Sequence, residues 1–188
     1  MTRTLTAVLL VALLAPATAR AAGAEEWQLS ARLGVGDLHI DGRSPLGFVG
    51  ALELEYGFSD AWAARLLASE SAHSVDTEMQ PMMPALPGGW ARVTSLLGGV
   101  TYTFDVLRMV PYAQLGIGFV RFEGAVKTTR TELAGELGLG ADYWLTRRWA
   151  LGGVLQYLFA PVDLFEHLGE LGQSPFAFSL TVRASRLF

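Results

Sequence analysis

From residue 27 onward, large apolar side chains alternate with small or polar ones at a period of two. The clearest of eight such segments is 176–188, where one phase carries Phe176, Phe178, Leu180, Val182, Ala184 and Phe188 and the other carries Ala177, Ser179, Thr181, Arg183 and Ser185. Side chains on a β-strand point alternately to opposite faces, so this period predicts strands rather than helices. Because eight two-faced strands fill most of the chain, we expect an all-β fold.

The connections between the eight segments alternate in length. Those after the second, fourth and sixth segments are short (58–61, 105–109 and 145–148), whereas those after the odd segments are long, the longest covering about 70–89. Short turns at one rim and long loops at the other are typical of an up-and-down barrel. The sequence therefore predicts an eight-stranded antiparallel up-and-down β-barrel in which the first strand pairs with the last.

The composition indicates which phase of the strands faces outward. Hydrophobic residues make up 51% of the chain and charged residues 17%, less than the roughly 25% of a soluble domain. A water-soluble barrel would show the same alternation, but here the polar phase is crowded with Gly, Ala, Ser and Thr, which suit a narrow interior. After residue 22 no apolar run reaches the roughly 18 residues of a spanning helix. We expect a transmembrane β-barrel with its apolar phase toward lipid.

The first 21 residues have the features of a secretory signal peptide. Arg3 is followed by the apolar run 7–15 and by the small-residue segment 16–21. Cleavage after Ala21 fits best, with Ala19 and Ala24 as open alternatives, which leaves 22–188 as the barrel. The expected location is the outer membrane of a Gram-negative bacterium, reached through the periplasm.

The formal charge of −4 gives no reason to expect nucleic acid as a partner, and the absence of Cys excludes disulfides.

Four segments resemble the small outer-membrane barrels of the OmpA/OmpX/OmpW-like superfamily. They are GFSDAW (57–62), PYAQLGIG (111–118), GLGADYWLTRRWALGG (138–153) and FAFSLTVRASRLF (176–188). The resemblance implies an outer-membrane barrel whose last strand, ending in an aromatic residue, is the signal read by the barrel-assembly machinery; the matching residues are Leu180, Val182, Ala184 and Phe188. Arg186 departs from the pattern by placing a charge on the lipid phase, where its long stem can snorkel to the interface.

Charged residues of both signs fall on the phase expected inside the barrel: Arg32, Glu53, Glu55, Arg65, Glu136, Asp142 and Arg183. Paired carboxylates could form an acid/base couple, but buried charges of both signs more simply neutralise one another. We predict an interior ion-pair network that plugs the barrel.

Aromatic residues gather near the strand ends, where amphipathic rings lie at the membrane interfaces. The residues predicted to form these interface girdles include Trp27, Trp62, Trp144, Trp149 and Tyr157.

No motif predicts catalysis, a cofactor or a metal. The histidines (His39, His73 and His167) fall in predicted extracellular loops without a recognisable Ser and acid arrangement. Segment 37–42 resembles the start of a calcium-binding loop, but the twelfth position of such a loop, which should be Glu, is Phe48. The Met- and Pro-rich segment 79–87 could bind Cu(I), but an apolar loop is the simpler interpretation.

Three functions remain open on these grounds. The leading hypothesis is a non-enzymatic barrel that supports envelope integrity or presents its loops to an unidentified surface partner. Acid-rich loops could also bridge to lipopolysaccharide through divalent cations; the residues concerned are Asp37, Asp41, Glu70, Asp76, Glu78, Glu123, Glu132, Asp163, Glu166 and Glu170. The alternatives are a narrow channel for small hydrophobic molecules and a hydrolase that modifies lipid A.

Overall fold

The computed structural model describes residues 25–40, 44–75, 88–104, 109–125, 129–160 and 176–188. Within them the chain forms eight antiparallel strands: β1 (Trp27–His39), β2 (Leu46–Gly57), β3 (Trp62–Val75), β4 (Gly89–Thr103), β5 (Met109–Gly124), β6 (Arg130–Trp144), β7 (Trp149–Phe159) and β8 (Phe176–Leu187). Each strand pairs with the next, and β1 pairs with β8, so the sheet is a closed barrel as the alternation predicted. The proposed signal peptide lies outside the described residues. In the part of the chain just given, no helix is long and apolar enough to cross a membrane.

The pairing register fixes the tilt of the strands. The row of paired residues that starts at Trp27 runs through Tyr56, Ala64, Val100, Leu115, Leu137, Tyr157 and Phe178 and returns to β1 at Asp37, ten residues further along the strand. An eight-stranded barrel with this stagger has strands tilted by about 35–45° from the barrel axis. With a rise of about 3.3 Å per residue along the strand, each residue then advances about 2.5 Å along the axis.

Two of the short turns are held by a hydroxyl group. The Oγ of Ser59 accepts a hydrogen bond from the backbone N–H of Trp62 at 3.0 Å, and the Oγ1 of Thr146 accepts one from Trp149 at 3.1 Å. Local hydroxyl-to-backbone bonds of this kind favour turns over continued strands. Short turns mark the periplasmic end of an outer-membrane barrel, so the opposite rim is the extracellular one.

The outer face of the barrel is apolar. Large side chains on this face are strongly exposed, among them Leu33 (72%), Leu139 (63%) and Val182 (60%). Water would be a poor solvent for so continuous an apolar surface, whereas acyl chains solvate it. The large apolar phase therefore points outward and the phase of small and polar residues points inward.

The interior is less uniformly polar than the sequence predicted. Toward the extracellular rim a buried apolar cluster fills it, consisting of Leu38, Ile40, Leu67, Val75, Ala91, Val93, Leu97, Val120, Phe122, Ala125, Ala134 and Leu158. A smaller cluster (Val110, Trp144, Ala150 and Leu187) lies at the periplasmic end. The charged residues lie between them, so the lumen is an ionic layer enclosed by two apolar ones.

The predicted longest loop is shorter than expected. β3 continues to Val75, so Glu70 and His73 are strand residues rather than loop residues. Asp37, Glu123 and Glu132, also assigned to loops, lie in β1, β5 and β6. These assignments were wrong because the expected contrast is reversed near the extracellular rim. There polar residues such as Asp37, Glu70 and Glu123 lie on the outward phase, and the inward phase carries Leu38, Val75 and Phe122.

Candidate functional site

Seven charged side chains from five strands form one buried network. Glu53, on β2, is its centre: it pairs with Arg32, with Arg65 (Nε to Oε2, 3.1 Å) and with Arg183 (Nη2 to Oε1, 2.8 Å). The side chains in these pairs are at most 2% exposed. One carboxylate thus faces three guanidinium groups that arrive from β1, β3 and β8.

Two branches extend from this centre. Arg183 also pairs with Glu55 and, through Nη1, with Oδ2 of Asp142 at 3.1 Å. Arg65 donates to both oxygens of Glu136 at 3.0 Å. The predicted interior residues are therefore all brought together, and every carboxylate of the set contacts a guanidinium group.

Neutral side chains that the sequence analysis did not single out complete the network. Arg32 donates to Oε1 of Gln114 at 3.0 Å, and Thr101 donates to Oε1 of Glu55 at 2.5 Å. Tyr112 donates to Oδ1 of Asp142 at 3.3 Å and lies beneath the Arg183 guanidinium, which is 4.9 Å from the ring centre. These residues could have been identified in the sequence by their position on the inward phase of their strands.

The cavities left in the interior are small. One of about 30 Å³ lies at the periplasmic end beside Glu55, Asp142 and Trp144, and another of about 30 Å³ lies beside His73 below the extracellular rim. Each has room for about one water molecule. Within the described residues, no group of three or more His, Cys, Asp or Glu side chains could hold a metal ion. What this arrangement can do is neutralise buried charge and block the lumen.

Aromatic rings mark both rims, with one correction. Trp27 packs on Tyr56 and Trp62 on Tyr102, each with ring centres 4.8 Å apart, at the periplasmic end, where Trp149 is also exposed. Toward the other rim, Tyr157 packs on Phe178 at 4.6 Å. Trp144, predicted as an interface residue, is instead buried inside with Val110, Ala150 and Leu187. It follows Tyr143 directly, and adjacent strand residues point to opposite faces.

The proposed assembly residues share the outer face of β8. Leu180, Val182 and Ala184 alternate along it, and Phe188 follows with 64% of its surface exposed. The guanidinium of Arg186 lies 4.8 Å from the ring centre of Phe188 and 5.5 Å from that of Trp149. Cation–π contacts at the periplasmic girdle explain how this face accommodates a charge.

The histidines differ from their predicted positions. His39 ends β1, stacks on Phe176 at 4.6 Å and bonds to Ser44 at 2.8 Å. His73 is buried on the inner face of β3, where Nε2 is 2.9 Å from Oγ of Ser71 and Nδ1 is 3.1 Å from the carbonyl oxygen of Pro45. The remaining predicted loop residues lie outside the described residues: His167, segment 79–87, Asp41, Asp76, Glu78, Asp163, Glu166 and Glu170.

Solved structures with the same fold share little sequence with this chain. OprG from Pseudomonas aeruginosa is 14% identical over 90% of this chain and 98% of its own, with a TM-score of 0.61. Ail, the attachment invasion locus protein of Yersinia pestis, solved with the heparin analogue sucrose octasulfate, is 14% identical over 88% and 99%, with a TM-score of 0.52. The outer membrane enzyme PagL is 15% identical over 83% and 97%, with a TM-score of 0.51.

A family profile covers nearly the whole chain. The profile described as "Outer membrane protein beta-barrel domain" matches residues 5–183. The comparison with curated proteins gave no match. The profile agrees with the closed eight-stranded barrel, its apolar outer face and its aromatic rims. The chain belongs to the outer membrane protein beta-barrel domain family, and its location is the outer membrane.

Proposed function

We propose that this protein is a non-enzymatic outer-membrane barrel that supports the envelope and holds its extracellular rim in place for surface contacts. The observation that carries the proposal is the filled interior. Between the two apolar clusters, the network around Glu53 and Arg183 spans the lumen. Transport through the lumen would require this packing to open, whereas anchoring requires only that it stay intact.

We expect the purified barrel to be electrically silent in planar bilayers. Eight-stranded barrels are just wide enough for their own side chains, and here these side chains are ion-paired or apolar. The measurement is single-channel conductance, with a sixteen-stranded porin inserted under the same conditions as the positive control. Discrete conductance steps from this protein would contradict the proposal.

Uptake of small hydrophobic molecules is the transport alternative. Its entry would have to be the apolar cluster at the extracellular half, but Leu38, Leu67 and Ala134 in that cluster are fully buried against their neighbours. The ionic layer beneath presents charge to any apolar solute, which is unfavourable. Proteoliposomes carrying the barrel are therefore expected to take up an alkane probe no faster than empty liposomes.

A lipid A hydrolase is the enzymatic alternative, and PagL has this fold and is an enzyme. The described residues contain the His–Ser pairs His39–Ser44 and His73–Ser71. The second lines a cavity, but Nδ1 of His73 meets the carbonyl oxygen of Pro45 rather than a carboxylate. A hydrolytic triad orients its base with an acid, and the adjoining cavity of about 30 Å³ is too small for an acyl ester.

Replacing His39, His73 and His167 together by Gln is expected to leave the lipid A of the producing strain unchanged. The measurement is a mass spectrum of extracted lipid A, compared between strains with the wild-type protein, the triple variant and no barrel. A deacylated species present only with the wild-type protein would establish the enzyme and overturn the non-enzymatic proposal.

Three partners follow from the same proposal. Leu180, Val182, Ala184 and Phe188 would be read by the barrel-assembly machinery, since they form one exposed apolar row on the last strand. Lipopolysaccharide would surround the extracellular half of the apolar belt. The surface partner is defined only by location, at the extracellular rim.

A further inference from the structure

The lipid-facing wall formed by β1 to β4 contains a concavity of about 560 Å³. Small residues create it. Gly50 carries no side chain, and a Cβ placed there would meet only Leu33, at 3.6 Å. Ala31 and Ala68 continue the low surface on the neighbouring strands, and Leu33 and Leu52 stand beside it. The concavity opens on the outward phase of these strands, which is the phase that contacts acyl chains.

The concavity lies in the extracellular half of the belt. Glu70, at its upper end, is eight residues along β3 from Trp62 of the periplasmic girdle. At about 2.5 Å per residue along the axis, this places Glu70 about 20 Å above the girdle, within a belt about 25 Å tall. Ala68 and Gly50 are therefore at the depth of the outer-leaflet chains, and Glu70 is just below the headgroups.

An ion pair lies at the upper end, where Glu70 lines the concavity and Arg92 pairs with it from the neighbouring strand. Nε of Arg92 lies 3.9 Å from Oε1 of Glu70, and both side chains are more than 60% exposed on the lipid-facing phase. The loose separation leaves most of the guanidinium free for another acceptor. At the boundary with hydrocarbon such charges are less screened than in water, and a guanidinium matches phosphate geometry.

We propose that this concavity, with Glu70 and Arg92 above it, is a binding site for a phosphorylated outer-leaflet lipid of the lipid A type. One acyl chain lies over Gly50 and Ala68, a phosphate contacts Arg92, and a hydroxyl or amide donor of the headgroup contacts Glu70. Lipid tails gain no hydrophobic free energy on leaving other tails, so shape and headgroup charge supply the preference. The site deepens the proposed envelope role and rests on it, because it names the lipid that the barrel would hold.

The test is native mass spectrometry of the barrel, purified from outer membranes in mild detergent and titrated with bisphosphorylated lipid A. The wild-type protein is expected to retain one lipid A molecule. Gly50→Leu fills the concavity and is expected to weaken retention at least tenfold, and Ala68→Leu provides a second filling variant if the first does not fold. The matched control is Gly153→Leu on the lipid-facing side of β7, far from the concavity, which is expected to bind as the wild type does.

A separate variant tests the contact with the lipid headgroup. Arg92→Gln is expected to weaken binding of bisphosphorylated lipid A about tenfold and to leave binding of the dephosphorylated lipid unchanged. Equal losses in Gly50→Leu and Gly153→Leu, no loss in either filling variant, or a dimer of the protein that Gly50→Leu dissolves would overturn the proposal. Conductance does not enter this assay, so failure here is distinguishable from failure of the passive-barrel function.

Discussion

Arg183→Met is expected to lower the free energy of unfolding by about 3–5 kcal/mol, the range for removing one partner of a buried ion pair. Arg183 contacts Glu53, Glu55 and Asp142, and its side chain is 2% exposed. Met retains the apolar stem of the side chain without the guanidinium group, so the main loss is the charge and its hydrogen bonds. Glu55 and Asp142 would then be buried without the cation that they contact. The measurement is urea unfolding in lipid vesicles, followed by tryptophan fluorescence.

The matched control is Arg92→Met. Arg92 also pairs with a carboxylate, Glu70, but both side chains are more than 60% exposed. Arg92 lies near the headgroups, where a charge on the lipid face changes the unfolding free energy by about 0–1 kcal/mol, so this variant is expected to unfold close to the wild type. If the two variants lost similar amounts, the interior network would not be a desolvated one.

Leu139→Arg is expected to lower the free energy of unfolding by about 2–4 kcal/mol, as arginine does at the bilayer midplane. Leu139 is 63% exposed and lies four residues along β6 from Tyr143, an outward-facing residue at the periplasmic end of that strand. It is therefore about 10 Å above the girdle in a belt about 25 Å tall, where a guanidinium reaches neither interface easily. The measurement is the same urea titration in vesicles.

The same substitution at the edge of the belt is the control. Leu46, at the extracellular end of β2, is 73% exposed. Leu46→Arg is expected to change the unfolding free energy by about 0–1 kcal/mol, because the charge can reach the headgroups. A larger loss at Leu46 than at Leu139 would mean that the belt is placed incorrectly along the barrel axis.

The phases of the strands could be predicted from the sequence because side-chain size separates them. On β8, large residues such as Leu180 and Val182 point outward, and Thr181 and Arg183 point inward. The same rule also contained the correct position of Trp144, since Tyr143 before it faces outward. The prediction that Trp144 lies at the membrane interface was wrong because it relied on the aromatic character of the residue and not on its phase in the strand.

Other features could not be read from the sequence. Leu67, Leu97 and Val120 lie inside although they are large and apolar, because above the ionic layer the interior is filled by an apolar cluster. The pairing of Glu53 with three arginines depends on the register, which sets the heights of Arg32 and Arg65 on the neighbouring strands, and on the narrow lumen, across which Arg183 reaches from β8. A period of two predicts which face of the sheet a side chain is on, but not its position along the barrel axis or the side chains that it contacts.

Closure through β1 and β8 also bears on unfinished copies of the chain. A translation product that stops before β8 leaves β1 and β7 with rows of unpaired N–H and C=O groups, since each would lack the partner it has in the complete barrel. Hydrocarbon does not tolerate such edges, so the fragment cannot reside in the bilayer. It would stay in the periplasm, where proteases degrade exposed segments. We therefore expect that only copies in which the last strand pairs with the first are retained in the membrane.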